Sequence, residues 1–226
     1  MSGISKRKVI VFGINHTNTL GLVRSLGEAG HPVTVLLEPC DLKFCCLRFS
    51  KYIKKLYHLK DRSEGVRILK DLCGSESEKP IVFSGSDSSM SLIDAHYAEL
   101  KDFVEVFNAK GEQGRINEIN LRNDGVNHLY TDTGINMPEL WARYKAGESI
   151  DLGGINLGLK LPRYLMQESD LANIRTGKVG VYAWLRDFCR AKSHFVFDMR
   201  DPLPYLYTVY IHFRQAGKKL IRKVAG

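Results

Sequence analysis

"KVIVFGINHTNTLGLVRSLGEAGHPVTVLLE", residues 8–38, holds two apolar, β-branched runs on either side of a segment with helical spacing. Its reading decides the fold. Lys8 to Gly13 reads as a buried strand. From Thr19 to Ala29, Leu20, Val23, Leu26 and Ala29 recur near helical spacing, and Gly30 is placed to stop the helix in a left-handed cap. "HPVTVLLE", residues 31–38, supplies the second strand. The short distance between the two strands makes a right-handed crossover onto a parallel sheet the expected topology.

The pattern repeats along the first hundred residues. "SKYIKKLYHL" (50–59) predicts a short strand or turn, and Ser63 to Cys73 a helix with Val66, Leu69 and Leu72 on one side. "KPIVFSGSD" (79–87) is a clear strand whose Gly/Ser/Asp turn also caps the helix "SMSLIDAHYAEL" (89–100), and "FVEVFNA" (103–109) adds another strand. Repeated β-α units predict an α/β fold with a doubly wound, Rossmann-like parallel sheet and any ligand site at the carboxyl ends of its strands. "KGEQGRINEINLRNDG" (110–125), rich in Gly, Asn and charge, breaks the regularity. The expected organisation is a Rossmann-like unit over 1–110 and an incomplete α+β unit over 111–226. The latter carries a helix around "VYAWLRDFCRA" (181–191), a strand-like "HFVF" (194–197) and the turn "DMRDPLPYL" (198–206).

Composition narrows the classes. The 226 residues are 44% apolar and 26% charged, which fits a globular protein. No apolar run is long enough to span a bilayer, so no transmembrane segment is expected. "MSGISKRK" lacks the apolar core of a signal peptide, so a cytoplasmic address is expected. Five cysteines, an odd set without zinc-ligand spacing, point to reduced thiols. The net charge of +8 is mostly scattered, with its dense part in "RQAGKKLIRKVAG" (214–226). That tail reads as a solvated last helix, with a basic amphipathic segment on an anionic membrane as the alternative. Tyr205, Tyr207, Tyr210, His212, Phe213 and Arg214 read as packing of that helix, and no nucleic-acid partner is expected.

The turn after the first strand departs from a dinucleotide fingerprint. Asn15 and Thr17 or Asn18 stand where the second and third glycines would be, so a nicotinamide cofactor is not expected, although Glu38 lies at the distance of a ribose-binding acid. The side chains of "NHTN" at a helix N-terminus suit either a carboxylate or small anion, or a structural cap. Asn15, Thr17, Ser86 and Asp87 all fall at strand ends and are the candidate binding residues for a small carboxylate, with turn and helix capping as the alternative for each. His16 reads as a polar loop residue, and Asp198 and Asp201, beside Pro202 and Pro204, as turn residues satisfying backbone donors.

"LGLVRSLGEAGHPVTVL" (20–36), "FSKYIKKLYHL" (49–59), "KPIVFSGSDSSMSLIDAHYAEL" (79–100) and "FNAKGEQGRI" (107–116) stand in an order and spacing that resemble a known domain. It is the Rossmann-like domain that precedes the catalytic core in ATP-grasp carboxylate-amine ligases. "EINLRNDG" (118–125) resembles the last motif of that core, E-x-N-x-R. The resemblance implies Mg2+ and ATP as cofactors, Glu118 and Asn120 as metal ligands, and Arg122 as the catalytic cation facing the phosphates and the reacting carboxylate. Hard magnesium takes oxygen ligands, and a transferred phosphoryl group needs a delocalised cation. "HLYTDTGINMPELWARYKAGE" (128–148) looks like the family's segment after that motif. Residues 170–206 are similar to the C-terminal extension of a branch linked to cell-surface polysaccharide loci.

In the family a long nucleotide-binding stretch separates "GRINE" from "EINLR", whereas here the two are fused as "GRINEINLR" (114–122). The two ATP-contacting lysines, the flexible phosphate loop and the adenine hinge have no counterpart. "LGLKLP" (157–162) lies downstream of the metal motif, in the wrong order to replace them. Phosphoryl transfer depends on positioned triphosphate and metal. The expectation is an internally truncated, non-catalytic homologue that binds a small carboxylate, a protein partner or a second copy of itself. The alternative is an active ATP- and Mg-dependent ligase with a minimal or partner-completed site.

Overall fold

A computed structural model of the chain describes residues 7–74, 76–106, 127–150, 164–165, 170, 173–174 and 176–225. Five strands form one all-parallel sheet: β1 (Val9–Gly13), β2 (Val33–Leu37), β3 (Ile53–His58), β4 (Ile81–Ser84) and β5 (Glu105–Val106). Their spatial order is β3-β2-β1-β4-β5. The chain runs outward from β1 to β3, then returns to the other side of β1. The connections out of β1 and β4 therefore diverge at the carboxyl edge between them, where open α/β sheets form crevices.

β1, β2 and β4 are buried along their whole length, apolar apart from Thr34 and Ser84, as strands of a parallel sheet covered on both faces are. Alternate residues serve opposite cores. Val9, Val11, Val33, Val35, Ile81 and Phe83 pack with α1 (Thr17–Glu28), whereas Ile10, Phe12, Leu36 and Val82 pack with α2 (Glu64–Cys73) and α3 (Asp87–Ala95). Burying each such side chain contributes about 1.5–3 kcal/mol. β3 is an edge strand with Lys54 and Lys55 exposed, which discourages pairing with another chain.

Helix ends follow the local chemistry. Gly30 has φ 87°, its N–H donates to Gly27 O (2.9 Å), and His31 N–H donates to Leu26 O (3.1 Å). This is the Schellman closure anticipated from the glycine. α1 begins at Thr17 rather than Thr19, because the His16 imidazole Nδ1 accepts from Asn18 N–H (3.2 Å) and caps it. Ser86 Oγ accepts from Ser89 N–H (3.1 Å) to cap α3. The apolar pattern of 89–100 divides at His96, which leaves helical geometry (φ −107°, ψ 17°) before α4 (Tyr97–Leu100).

The later segments lie on the α1 side of the sheet. α5 (Asn127–Asp132) and α6 (Met137–Lys145) pack against α1, and Ala142 and Val196 belong to the same buried cluster as β1 and β2. The Trp141 ring meets Phe83 edge-on at 5.6 Å. A two-residue parallel pair joins β6 (Tyr164–Leu165) to β7 (Ser193–His194). α7 (Val181–Arg190) forms where predicted, whereas "HFVF" contributes only His194 to a strand. Phe195 and Val196 both pack on the α1-side core instead, whereas successive residues of a strand would point to opposite faces. The last helix, α8 (Leu203–Ala225), starts inside the predicted "DPLPYL" turn, with Pro204 tolerated in its first turn. Among the described residues no helix is long and apolar enough to cross a membrane.

A buried ion pair fixes this arrangement. Arg24, 1% exposed, donates from Nε to Asp201 Oδ2 (3.1 Å), from Nη2 to Asp201 O (2.9 Å) and from Nη1 to Val196 O (2.9 Å). Asp201 also accepts from Ser50 Oγ (2.7 Å) and Lys51 N–H (2.9 Å). One carboxylate thus ties α1, the approach to β3 and the start of α8 together.

Candidate functional site

At the carboxyl end of β1 the backbone turns at Gly13 into Asn15, His16 and Thr17. A cavity of about 260 Å³ lies against these three residues. Phe44, Cys46 and Val196 form apolar walls, and Thr208, His212 and Gln215 of α8 face the turn from the other side. Asn15 Nδ2 donates to Phe44 O (3.1 Å), which ties the turn to the loop after β2. Tyr207, also in the lining, donates its hydroxyl to Lys43 O (2.8 Å), so α8 is fastened to that same loop. Among the described residues no carboxylate lines the cavity, whereas two imidazoles, two hydroxyls and two side-chain amides do, besides Tyr207.

Unspent polar groups gather at the turn. The buried Asn15 Oδ1, Asn18 Oδ1 and Thr19 Oγ1 have no hydrogen-bond partner among the described residues. Burial pushes the Cys46 thiol up, with a contact to Thr208 opposing it, so the neutral thiol is the resting form. The N-terminus of α1 adds positive potential at this end of the cavity. The helix terminus suits an anionic group, while the unspent Asn15 oxygen, an acceptor, calls for a donor on the same ligand.

The adjoining crevice between β1 and β4 is filled by protein. Asn18 Nδ2 donates to Gly85 O (3.1 Å). A Cβ at Gly13 or Gly85 would stand 2.7 or 2.5 Å from Thr19 Oγ1. These glycines admit Thr19, not a pyrophosphate. Glu38, 2% exposed, is also engaged: Ser86 Oγ and Ser88 Oγ donate to its Oε1 (2.7 Å each), and Arg62 Nε to its Oε2 (2.6 Å).

The four candidate binding residues therefore separate. Asn15 and Thr17 line the cavity. Ser86 is buried and committed to Glu38 and the α3 cap, and Asp87 is exposed in the first turn of α3. Glu118, Asn120 and Arg122 lie outside the described residues. His16 is the α1 cap and a lining residue. Sequence reasoning missed His212, Gln215 and Phe44 as site residues because they reach the turn only through the path of α8 and the β2–β3 loop.

A second polar cluster was also not foreseen. Glu28, His128 and Asp198 bring potential ligand atoms within 4.8 Å of one another, but the Arg200 guanidinium already occupies the cluster. Arg200 donates to Glu28 Oε2 (2.9 Å), to Asp198 Oδ1 (3.1 Å) and to Asp132, and His128 Nε2 lies 2.9 Å from Asp198 Oδ2. Burial alone would raise the Asp198 carboxyl, but hydrogen bonds from His128 and Arg200 outweigh it and hold the group well below the usual range. Burial raises Glu28, with His128 and Arg200 opposing. Asp198 also accepts from Arg200 N–H (2.8 Å), a backbone donor of the turn as expected, whereas Asp201 departs from that reading: its backbone donor is the distant Lys51 N–H, and its carboxylate is the partner of buried Arg24. The cluster joins α1, α5 and the 198–201 turn. Its His128–Asp132 spacing on α5 was the one signal visible in the sequence.

Compared with protein-family models, with curated proteins and with solved structures, the chain matches none.

Proposed function

We propose that this chain is an internally shortened relative of the ATP-grasp carboxylate-amine ligases that binds a small carboxylate at the β1–α1 turn and does not turn over ATP. The observation that carries the binding reading is the cavity of about 260 Å³ at the N-terminus of α1, lined by no carboxylate among the described residues. Among the described residues the buried Asn15 Oδ1 has no hydrogen-bond partner, and this acceptor suits an amino or hydroxyl group on the same ligand. The strand order agrees with the Rossmann-like, pre-ATP-grasp reading, because 3-2-1-4-5 is the order of the doubly wound dinucleotide folds. The family reading itself rests on the sequence phrases, above all Glu118 to Gly125.

The non-catalytic reading rests on the fusion of "GRINE" with "EINLR". Without the lysines, loop and hinge of the core, Glu118 and Asn120 form at most a weak magnesium site, since magnesium ordinarily borrows ligands from the nucleotide. Mapping the cavity tests the binding reading. Proton–nitrogen correlation spectra recorded during titration with succinate, then with L-aspartate, are expected to show saturable shifts centred on residues 15–18, 44–46 and 207–215. A stronger response to L-aspartate would assign the unpartnered Asn15 oxygen to the amine. Shifts spread over the surface, or none at millimolar ligand, would refute the site.

A further inference from the structure

We infer that α8 is a docking helix for an anionic phospholipid surface. This inference stands independently of the carboxylate reading, because it uses the opposite face of the helix. The inner face of α8 is the packed one: Pro204 and Ile211 are buried, and Tyr207 stacks on Phe49 with ring centroids 4.3 Å apart. On the outer face, Leu203, Leu206, Tyr210 and Phe213 are 53%, 54%, 55% and 74% exposed, and Met199 on the approaching turn is 77% exposed. A solvated last helix explains the inner face. It does not explain a continuous row of large apolar side chains presented to water.

The spacing of that row is helical throughout. Positions 203, 206, 210 and 213 advance by three and four residues. At 3.6 residues per turn these four positions fall within an arc of about 80°. The helix continues to Ala225, and its sequence carries Arg214, Lys218, Lys219, Arg222 and Lys223 with no Asp or Glu.

Charge decides the occupant. A second copy of the helix would bring five cations against five with no acid to offset them, and like charges at close range repel. An anionic bilayer complements the charge and accepts the apolar row at its headgroup boundary, with Tyr210 suited to the interface. The helix lies on the membrane and does not cross it.

The test uses the full chain with sonicated vesicles of phosphatidylcholine alone and of phosphatidylcholine with 30% phosphatidylserine. Co-sedimentation is expected to be at least about tenfold greater with the anionic vesicles and to weaken steeply as salt screens the charge. The double variant Leu206→Ser with Phe213→Ser removes exposed side chains only, so its circular dichroism is expected to match that of the parent while its vesicle binding is lost. Equal and negligible binding to both vesicles would overturn the inference. So would anionic binding untouched by the double variant, which would reveal charge attraction without an apolar contact. Concentration-dependent dimerisation abolished by the double variant, with no vesicle binding, would assign the row to a second copy instead.

Discussion

Replacing Asp201 with Ala should cost the protein much of its stability. The substitution leaves the Arg24 guanidinium, 1% exposed, with two backbone carbonyls and no countercharge, and it deprives Ser50 Oγ and Lys51 N–H of their acceptor. Removing one partner of a buried ion pair costs about 3–5 kcal/mol. The orphaned Ser50 and Lys51 donors belong to the same network, so their losses overlap with that figure and do not add to it. Against a total stability of about 5–15 kcal/mol, and a urea slope of about 3 kcal/mol/M for a chain this size, the midpoint should fall by about 1–1.7 M. Urea unfolding followed by fluorescence of Trp141 and Trp184 measures it. Adding Arg24→Leu to Asp201→Ala should restore part of the loss, because the buried charge is then gone. A midpoint drop below about 0.3 M would mean that Arg24 reaches water and that the pair does not hold the α8 side of the molecule to the sheet.

Other consequences are equally open to measurement. Gly85→Ala places a Cβ 2.5 Å from Thr19 Oγ1 and 3.2 Å from its Cα, so it should destabilise by about 1–3 kcal/mol in the same assay. Thr19→Ala in that background should recover part of the loss. Asp198 has a folded-state pKa below its unfolded value, so its contribution is complete above the ordinary carboxylate range and is lost as pH falls through and below that range. Thermal melts from pH 6 down to pH 2 should therefore show a steeper acid decline for the parent than for Asp198→Asn. Burial pushes the Cys45 and Cys73 thiols up to about 11, whereas Cys189 is exposed. A thiol reagent at pH 7.5 should label Cys189 in the native protein and reach Cys45 and Cys73 only after denaturation.

The sheet was legible because its signals are local. β1 is an unbroken apolar run, β2 and β4 are apolar apart from Thr34 and Ser84, and Gly30 marks the end of α1 by a conformational need that one residue can reveal. Asn15 and Thr17 were legible as the turn at the carboxyl end of β1 for the same reason, and they line the cavity there. The opposite wall was not, since His212 and Gln215 lie about 200 positions away and reach the turn only because Asp201 anchors the start of α8 to Arg24. The same holds for Ser86, whose hydroxyl looked available until Glu38 was brought beside it by the β1–β2–β4 register. The turn expected over 198–206 holds only as far as Pro202, beyond which α8 takes over, and its role in joining α1 to α5 depends on Glu28, His128 and Asp132, which no sequence spacing connects to it.

The most direct test of the central claim is isothermal titration calorimetry of the folded protein with magnesium-ATP and, separately, with succinate and L-aspartate, using Glu118→Ala as the control. The account predicts no saturable heat with magnesium-ATP and saturable binding of at least one carboxylate, unchanged in Glu118→Ala. Saturable magnesium-ATP binding that disappears in Glu118→Ala would contradict it and return the chain to the active ligases.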